Sequence, residues 1–278
     1  MSMTDTSVPS EAAKATQAAT AADAPGATPI GRRTVLIATG ATAATLAVGA
    51  AATPEAPTTG TADTRDTAPV AAAAVCTLTK EMTEGPYYLD GQLVRADIRE
   101  DKTGFPLVLT LTVVDDDTCA PLAGALVEIW HCDALGEYSG FVGNNGHNEP
   151  DNGTFLRGAV LSNSSGVAKI TTVYPGWYRG RCIHIHLKVH TNVTLTSDGS
   201  FTGGQELHTG QLFFDETVTT RVGALSPYSA NTVPRTTLAQ DSIYDEGGAA
   251  SGLLTLTALG SSPTAGYAGS LTVGVESS

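Results

Sequence analysis

Short runs rich in apolar and β-branched residues recur along the chain beyond residue 76, separated by clusters of Gly, Asp, Asn and Pro. The runs that read as strands are Leu107–Val114, Ala125–His131, Val167–Val173, Cys182–Val189, Gln211–Phe214, Leu253–Ala258 and Ser270–Val275. Strands at this spacing, with turn residues between them, predict a sandwich or barrel rather than βαβ units. No stretch joins a 3.6-residue apolar period to caps at both ends, so no helix is predicted. No internal repeat is visible. The predicted fold class is all-β, a β-sandwich with long loops.

Residues 1–75 follow no such pattern. They are dominated by Ala, Thr, Pro and Gly and carry no aromatic residue. Such a segment buries too little surface to offset its chain entropy, so it is predicted to be disordered. Inside it, Gly31-Arg32-Arg33-Thr34-Val35-Leu36-Ile37 sets two arginines directly before a weakly apolar, uncharged run ending near Ala52. At about 19 residues the run approaches membrane-spanning length, but its low content of Leu, Ile and Phe makes it a poor anchor. A twin-arginine export signal over residues 1–52 is the reading that accounts for both features. The bland alternative is a disordered tail in which Arg32-Arg33 is accidental. Residues 53–75 read as a flexible linker. The folded domain is then residues 76–278.

Charge narrows the partners. The net charge is −13, and no Lys/Arg cluster occurs in the folded part, which is the wrong sign for a phosphate-binding surface. No nucleic acid and no stable membrane span are expected. The four cysteines are Cys76, Cys119, Cys132 and Cys182, an even count that favours disulfides in an exported chain. Three pairings are possible. No CxxC pair is present, which argues against a structural zinc site.

The sharpest local feature is Ile183-His184-Ile185-His186-Leu187. Strand side chains alternate between faces, so both histidines point one way while Ile183, Ile185 and Leu187 point the other. Two imidazoles about 7 Å apart on one face are placed to share a metal; two exposed histidines would leave the same pattern. Gly136-Glu137-Tyr138 follows one strand, and Pro175-Gly176-Trp177-Tyr178 ends six residues before His184. Both tyrosines sit in or beside turns that can aim a side chain into a cleft. Their ordinary role would be packing with a solvated hydroxyl.

Taken together, these segments resemble a known family. Val127-Glu128-Ile129-Trp130-His131-Cys132-Asp133-Ala134-Leu135-Gly136-Glu137-Tyr138, Tyr174-Pro175-Gly176-Trp177-Tyr178 and Arg181-Cys182-Ile183-His184-Ile185-His186 resemble the iron-site motifs of intradiol ring-cleavage dioxygenases. Thr83-Glu84-Gly85-Pro86-Tyr87-Tyr88 and Thr209-Gly210-Gln211-Leu212-Phe213-Phe214 are similar to flanking segments of that family. The likeness runs in order from about residue 80 to the C-terminus. It implies a β-sandwich with long active-site loops and a non-haem Fe(III) held by Tyr138, Tyr178, His184 and His186. It implies catalytic roles for Tyr178 and Arg181, and a substrate pocket touched by Tyr87 or Tyr88 and by Gln211. The implied partners are a small-molecule catechol and O2, and the implied product is a cis,cis-muconate-type diacid. Two phenolates and two imidazoles form a donor set suited to Fe(III).

The chain departs from the family pattern in two respects. Cys132 and Cys182 stand where cytoplasmic relatives usually carry alanine, beside iron-site motifs that the implied fold brings together. A Cys132–Cys182 disulfide is expected on that ground, leaving Cys76–Cys119 as the second. The helical dimerisation segment of catechol dioxygenases has no counterpart here, so the resemblance leaves the oligomeric state open. His131, His147, His190 and His208 are read as surface residues or neighbours of the site. Asn152, Asn163 and Asn192 head glycosylation-type triplets, and Asp115-Asp116-Asp117 reads as a solvated turn rather than a calcium site. The competing functional readings are a zinc or copper enzyme using His184 and His186 alone, and a non-catalytic binding module. The first leaves the tyrosines without a task, and the second would call for a missing ligand position, of which there is none.

Overall fold

The computed structural model describes residues 76, 78–141, 153–245 and 249–277. The Arg32-Arg33 segment, the 53–75 linker, His147 and Asn152 lie outside the described residues. The elements are β1 (Pro106–Asp115), β2 (Leu126–Trp130), β3 (Arg157–Leu161), β4 (Val167–Val173), β5 (His184–Thr191), β6 (Thr194–Leu195), β7 (Phe201–Thr202), β8 (Gln205–Phe213), α1 (Glu216–Gly223), α2 (Ser242–Asp245), β9 (Thr255–Ala258) and β10 (Tyr267–Val275). One four-stranded sheet runs β4-β1-β10-β9, a second runs β3-β2-β5-β8, and β6 and β7 form a small ribbon. β1 and β10 pair in parallel; the other named pairs are antiparallel. The architecture is the β-sandwich that the strand pattern predicts.

The core lies between the two sheets. On β1, Leu107, Leu109, Leu111 and Val113 are fully buried while Val108, Thr110 and Thr112 are partly exposed, the period of two of a half-buried strand. From the second sheet Val127, Ile129, Ile185, Leu187 and Val189 join the same apolar cluster. Each such side chain contributes about 1.5–3 kcal/mol by leaving water. β2 is buried at every position, and β5 at all but its last. Their second face is therefore covered as well, by loops. That covered face carries Glu128 and Trp130 on β2 and His184, His186, Lys188 and His190 on β5, with Trp130 directly opposite His186.

Local signals explain what the strand pattern left out. β3 opens on Arg157-Gly158 and is only five residues long, so its composition reads as loop until it docks on the edge of β2. α1 is eight residues and rich in β-branched threonine and valine. What starts it is Asp215, whose carboxylate accepts from the backbone N–H groups of Thr217 and Val218. Its inner side buries Thr219 and Val222, and Thr219 Oγ1 lies 2.8 Å from Tyr174 Oη.

Candidate metal centre

Two loops deliver the tyrosines. Asp133 accepts from Leu135 N and Glu137 N through Oδ1, closing the turn that presents Tyr138. The Tyr178 loop is tied to it where Gly176 N donates to Asp133 O at 3.0 Å. Gly176 is required there, because a Cβ would sit 2.4 Å from the carbonyl oxygens of both Asp133 and Ala134.

All four predicted ligands meet on the covered face of the second sheet. His184 Nε2 lies 3.1 Å from His186 Nε2 and 3.2 Å from Tyr178 Oη. The Tyr138 ring is edge-on to Tyr178 at 5.8 Å and tilted to His186 at 6.1 Å. Tyr138, His184 and His186 are each almost fully buried. Burial, reinforced by neighbouring positive groups, holds both histidines well below the ordinary imidazole range. Burial also holds both phenols well above theirs, with Arg181 partly opposing the rise at Tyr178. The histidines are thus neutral. His184 Nδ1 lies 2.7 Å from the Cys182 carbonyl, which can only accept, so the proton sits on Nδ1 and the Nε2 lone pair faces inward.

Without a cation this arrangement is poorly satisfied. Tyr138 Oη and His186 Nδ1 are buried without hydrogen bonds of good geometry, and two imidazole nitrogens face each other. The donor set fits a ferric ion: two nitrogens each about 2.1 Å from one metal, subtending roughly 95°, would be about 3.1 Å apart. Among the described residues no group of three or more His, Cys, Asp or Glu could hold a metal. A metal at this point therefore depends on the tyrosine oxygens.

The surrounding side chains hold these groups in place. Trp130 stacks on His186 with centroids 4.9 Å apart and planes 5° apart. Gly85, at φ +75°, crosses His186 so closely that a Cβ would lie 3.1 Å from Cε1. Arg181 donates through Nε to Asp241 Oδ2 at 2.9 Å and through Nη2 to Gln211 Oε1 at 2.6 Å, and its Nη1 lies 3.5 Å from His184 Nε2. Gln211 Nε2 donates in turn to Thr83 O at 2.8 Å. Burial raises the Asp241 carboxyl, but the bonds from Cys182 and the Arg181 charge outweigh it and hold the group below its usual range.

The structure separates the two tyrosines that the sequence left undivided. Tyr87 stacks on Tyr138 at 4.5 Å and lies edge-on to Tyr178 at 5.8 Å and to Phe141 at 5.4 Å. Tyr88 turns away, against Trp130, with its hydroxyl toward Asp90 and Glu128 and Lys188 Nζ 4.2 Å above its ring. Tyr87 faces the candidate metal pocket and Tyr88 does not.

One expectation is corrected and another is narrowed. Cys132 and Cys182 are free thiols. Their backbone segments run alongside, but Cys132 packs with Trp130 and Tyr138 whereas Cys182 packs with Phe213 in a separate cluster. Cys76 and Cys119 do form the other expected disulfide. The described histidines outside the centre are not on the surface. His131 is fully buried between Cys132 O and Thr172 Oγ1 at 2.7 Å each, His190 pairs with Glu128 at 2.9 Å, and His208 pairs with Glu81 at 2.7 Å. The contributions of Asp241, Gly85 and Trp130 were not anticipated. Strand alternation places Trp130 on the His186 face once β2 and β5 are paired, whereas nothing around Asp241 in sequence signals its task.

Comparison with known proteins identifies the family. A family model described as "Dioxygenase" matches residues 83–187. An intradiol ring-cleavage dioxygenase from Tetranychus urticae is 32% identical with a TM-score of 0.62, the match covering 72% of this chain and 95% of that one. The chain belongs to the intradiol ring-cleavage dioxygenase family. Among curated relatives, the chlorocatechol 1,2-dioxygenase of Pseudomonas sp. (strain P51) is 31% identical over 144 residues, 44% of this chain and 55% of that protein. Catechol 1,2-dioxygenase 1 of Acinetobacter lwoffii is 35% identical over 105 residues, 36% of this chain and 32% of that protein. The match thus spans about half, or less, of these two family members' length. The family match contains Tyr138, Tyr178, Arg181, His184 and His186.

Proposed function

We propose that this chain is a non-haem ferric dioxygenase that cleaves catechol-type aromatics between their two hydroxyl-bearing carbons. The observation that carries the reading is the gathering of Tyr138, Tyr178, His184 and His186 at one place, with the His184 Nε2 lone pair turned inward. When bound, ferric iron supplies Lewis acidity toward both catechol oxygens, activating the ring for O2 and a cis,cis-muconate-type diacid product.

The protein's own groups then divide the work. Tyr178 Oη, the less buried of the two phenols, would lose its proton on holding ferric iron, and as a phenolate it would be the base that takes one catechol proton. Arg181 Nη1, held beside His184, stabilises negative charge developing on the ring. Tyr87 and Phe141 form an apolar wall that aligns the ring and excludes water. Trp130 keeps His186 from rotating.

The zinc or copper reading based on two histidines is disfavoured, because no third His, Cys, Asp or Glu joins them among the described residues. A binding module gives no account of one buried and one half-buried phenol beside the inward lone pair of His184. The deciding experiment is the visible spectrum of iron-loaded protein, followed by oxygen uptake over a panel of catechols. Burgundy colour and stoichiometric O2 consumption are expected; protein that stays colourless with iron would refute the reading.

Export is part of the proposal. Arg32-Arg33 with its apolar run supplies the signal, and the Cys76–Cys119 bond suits an oxidising compartment. Among the described residues no helix is long and apolar enough to cross a membrane. Fractionation of cells expressing the full chain should find Arg32→Lys/Arg33→Lys protein retained in the cytosol.

A further inference from the structure

Arg181 is held by two neighbours, and they are not equivalent. Gln211 is a side-chain amide on β8 and grips Nη2. Asp241 is a carboxylate, 1% exposed, that grips Nε. Asp241 is itself fixed by backbone: Oδ2 also accepts from Cys182 N at 2.7 Å, and Oδ1 accepts from Ile243 N at 2.9 Å and Tyr244 N at 3.3 Å. One carboxylate thereby caps α2, anchors the turn that leads into β5 and clamps the guanidinium. With Nε and Nη2 engaged, Nη1 is the edge left facing His184.

We propose that Asp241 is a positioning residue that sets the direction of the Arg181 charge at the metal centre. The proposal rests on the dioxygenase reading above. A guanidinium is always charged but sits on a flexible stem, so its catalytic value depends on where the fork is held. Asp241→Asn leaves a side chain of the same size that can still accept from backbone, while the charge-assisted clamp is lost.

The test uses the full chain as wild type, Asp241→Asn, Arg181→Gln and the double variant. In iron-free wild type, NMR should show a slowly exchanging, low-field Arg181 Nε–H signal, absent in Arg181→Gln and lost in Asp241→Asn. After iron loading, Asp241→Asn should keep the tyrosinate–iron band and a KM within about threefold, while kcat falls about 10–100-fold, the range for residues that orient a metal site from behind. The double variant should be no slower than Arg181→Gln, since both changes remove one function. Multiplicative losses, or a wild type without the protected signal, would overturn the proposal, and the latter requires no folded Asp241 variant. Wild type that shows the signal but neither colour nor turnover instead overturns the dioxygenase reading, and this proposal with it.

Discussion

His184 and His186 turn their Nε2 atoms toward one another at 3.1 Å on one buried face of β5. His184 Nε2 carries a lone pair, because its Nδ1–H faces the Cys182 carbonyl, and a cation bound between the two rings would take both histidines as ligands. Replacing either by alanine should lower iron affinity by more than about 100-fold, the upper end of what loss of an outer-shell partner alone produces. Competition with a chelator measures it, and near wild-type retention of iron would count against both ligand assignments.

Gly85 and Gly91 form a matched pair. Both have positive φ, +75° and +73°, but a Cβ on Gly85 meets His186 Cε1 at 3.1 Å while one on Gly91 meets nothing within 4 Å. Gly91→Ala should cost only backbone strain, about 1–2 kcal/mol. Gly85→Ala should cost that and also displace His186, shifting the visible band and weakening iron binding. Equal effects on stability with no spectral change at Gly85 would show that the close approach is immaterial.

The cysteines give a direct count. Denatured, unreduced protein should release two titratable thiols, Cys132 and Cys182; native protein should release none within minutes, because both are buried. Reduction of Cys76–Cys119, which closes a separation of 43 residues, should lower stability by about 4 kcal/mol in the chain-entropy account. Zero free thiols under denaturation would restore the second disulfide.

Stability should fall in mild acid. Burial drives His131 down to about 4 from an ordinary 6.5. The unfolded chain therefore takes up this proton first as pH drops. The contribution is intact above about 6.5 and is lost progressively down to about 4, roughly 3 kcal/mol in total. In iron-free protein His184 and His186, also held low by burial, act in the same direction. Urea unfolding of iron-free His131→Gln between pH 7 and 4.5 should show a shallower slope than wild type, and an equal slope would exclude His131 as a source.

Family membership and the grouping of the four candidate ligands were legible in local sequence because each rests on short-range geometry. Alternation along one strand puts His184 and His186 on one face whatever the rest of the fold does, and the motifs around Tyr138, Tyr178 and Arg181 are contiguous. β1 and β4 were legible for the same reason, since their burial alternates or nearly so with sequence. β3 and α1 were not, because a five-residue edge strand and an eight-residue helix gain their stability from docking and not from their own pattern.

Tertiary structure alone decided three matters. It separated Cys132 from Cys182 by sending adjacent segments into different apolar clusters. It turned Tyr87 toward Tyr138 and Tyr178 and its neighbour Tyr88 away. It also brought Asp241 from 60 residues along the chain to Arg181. The physical reason is common to all three: contacts across such distances depend on how sheets and loops close over one another, and no local spacing of residue types encodes that closure.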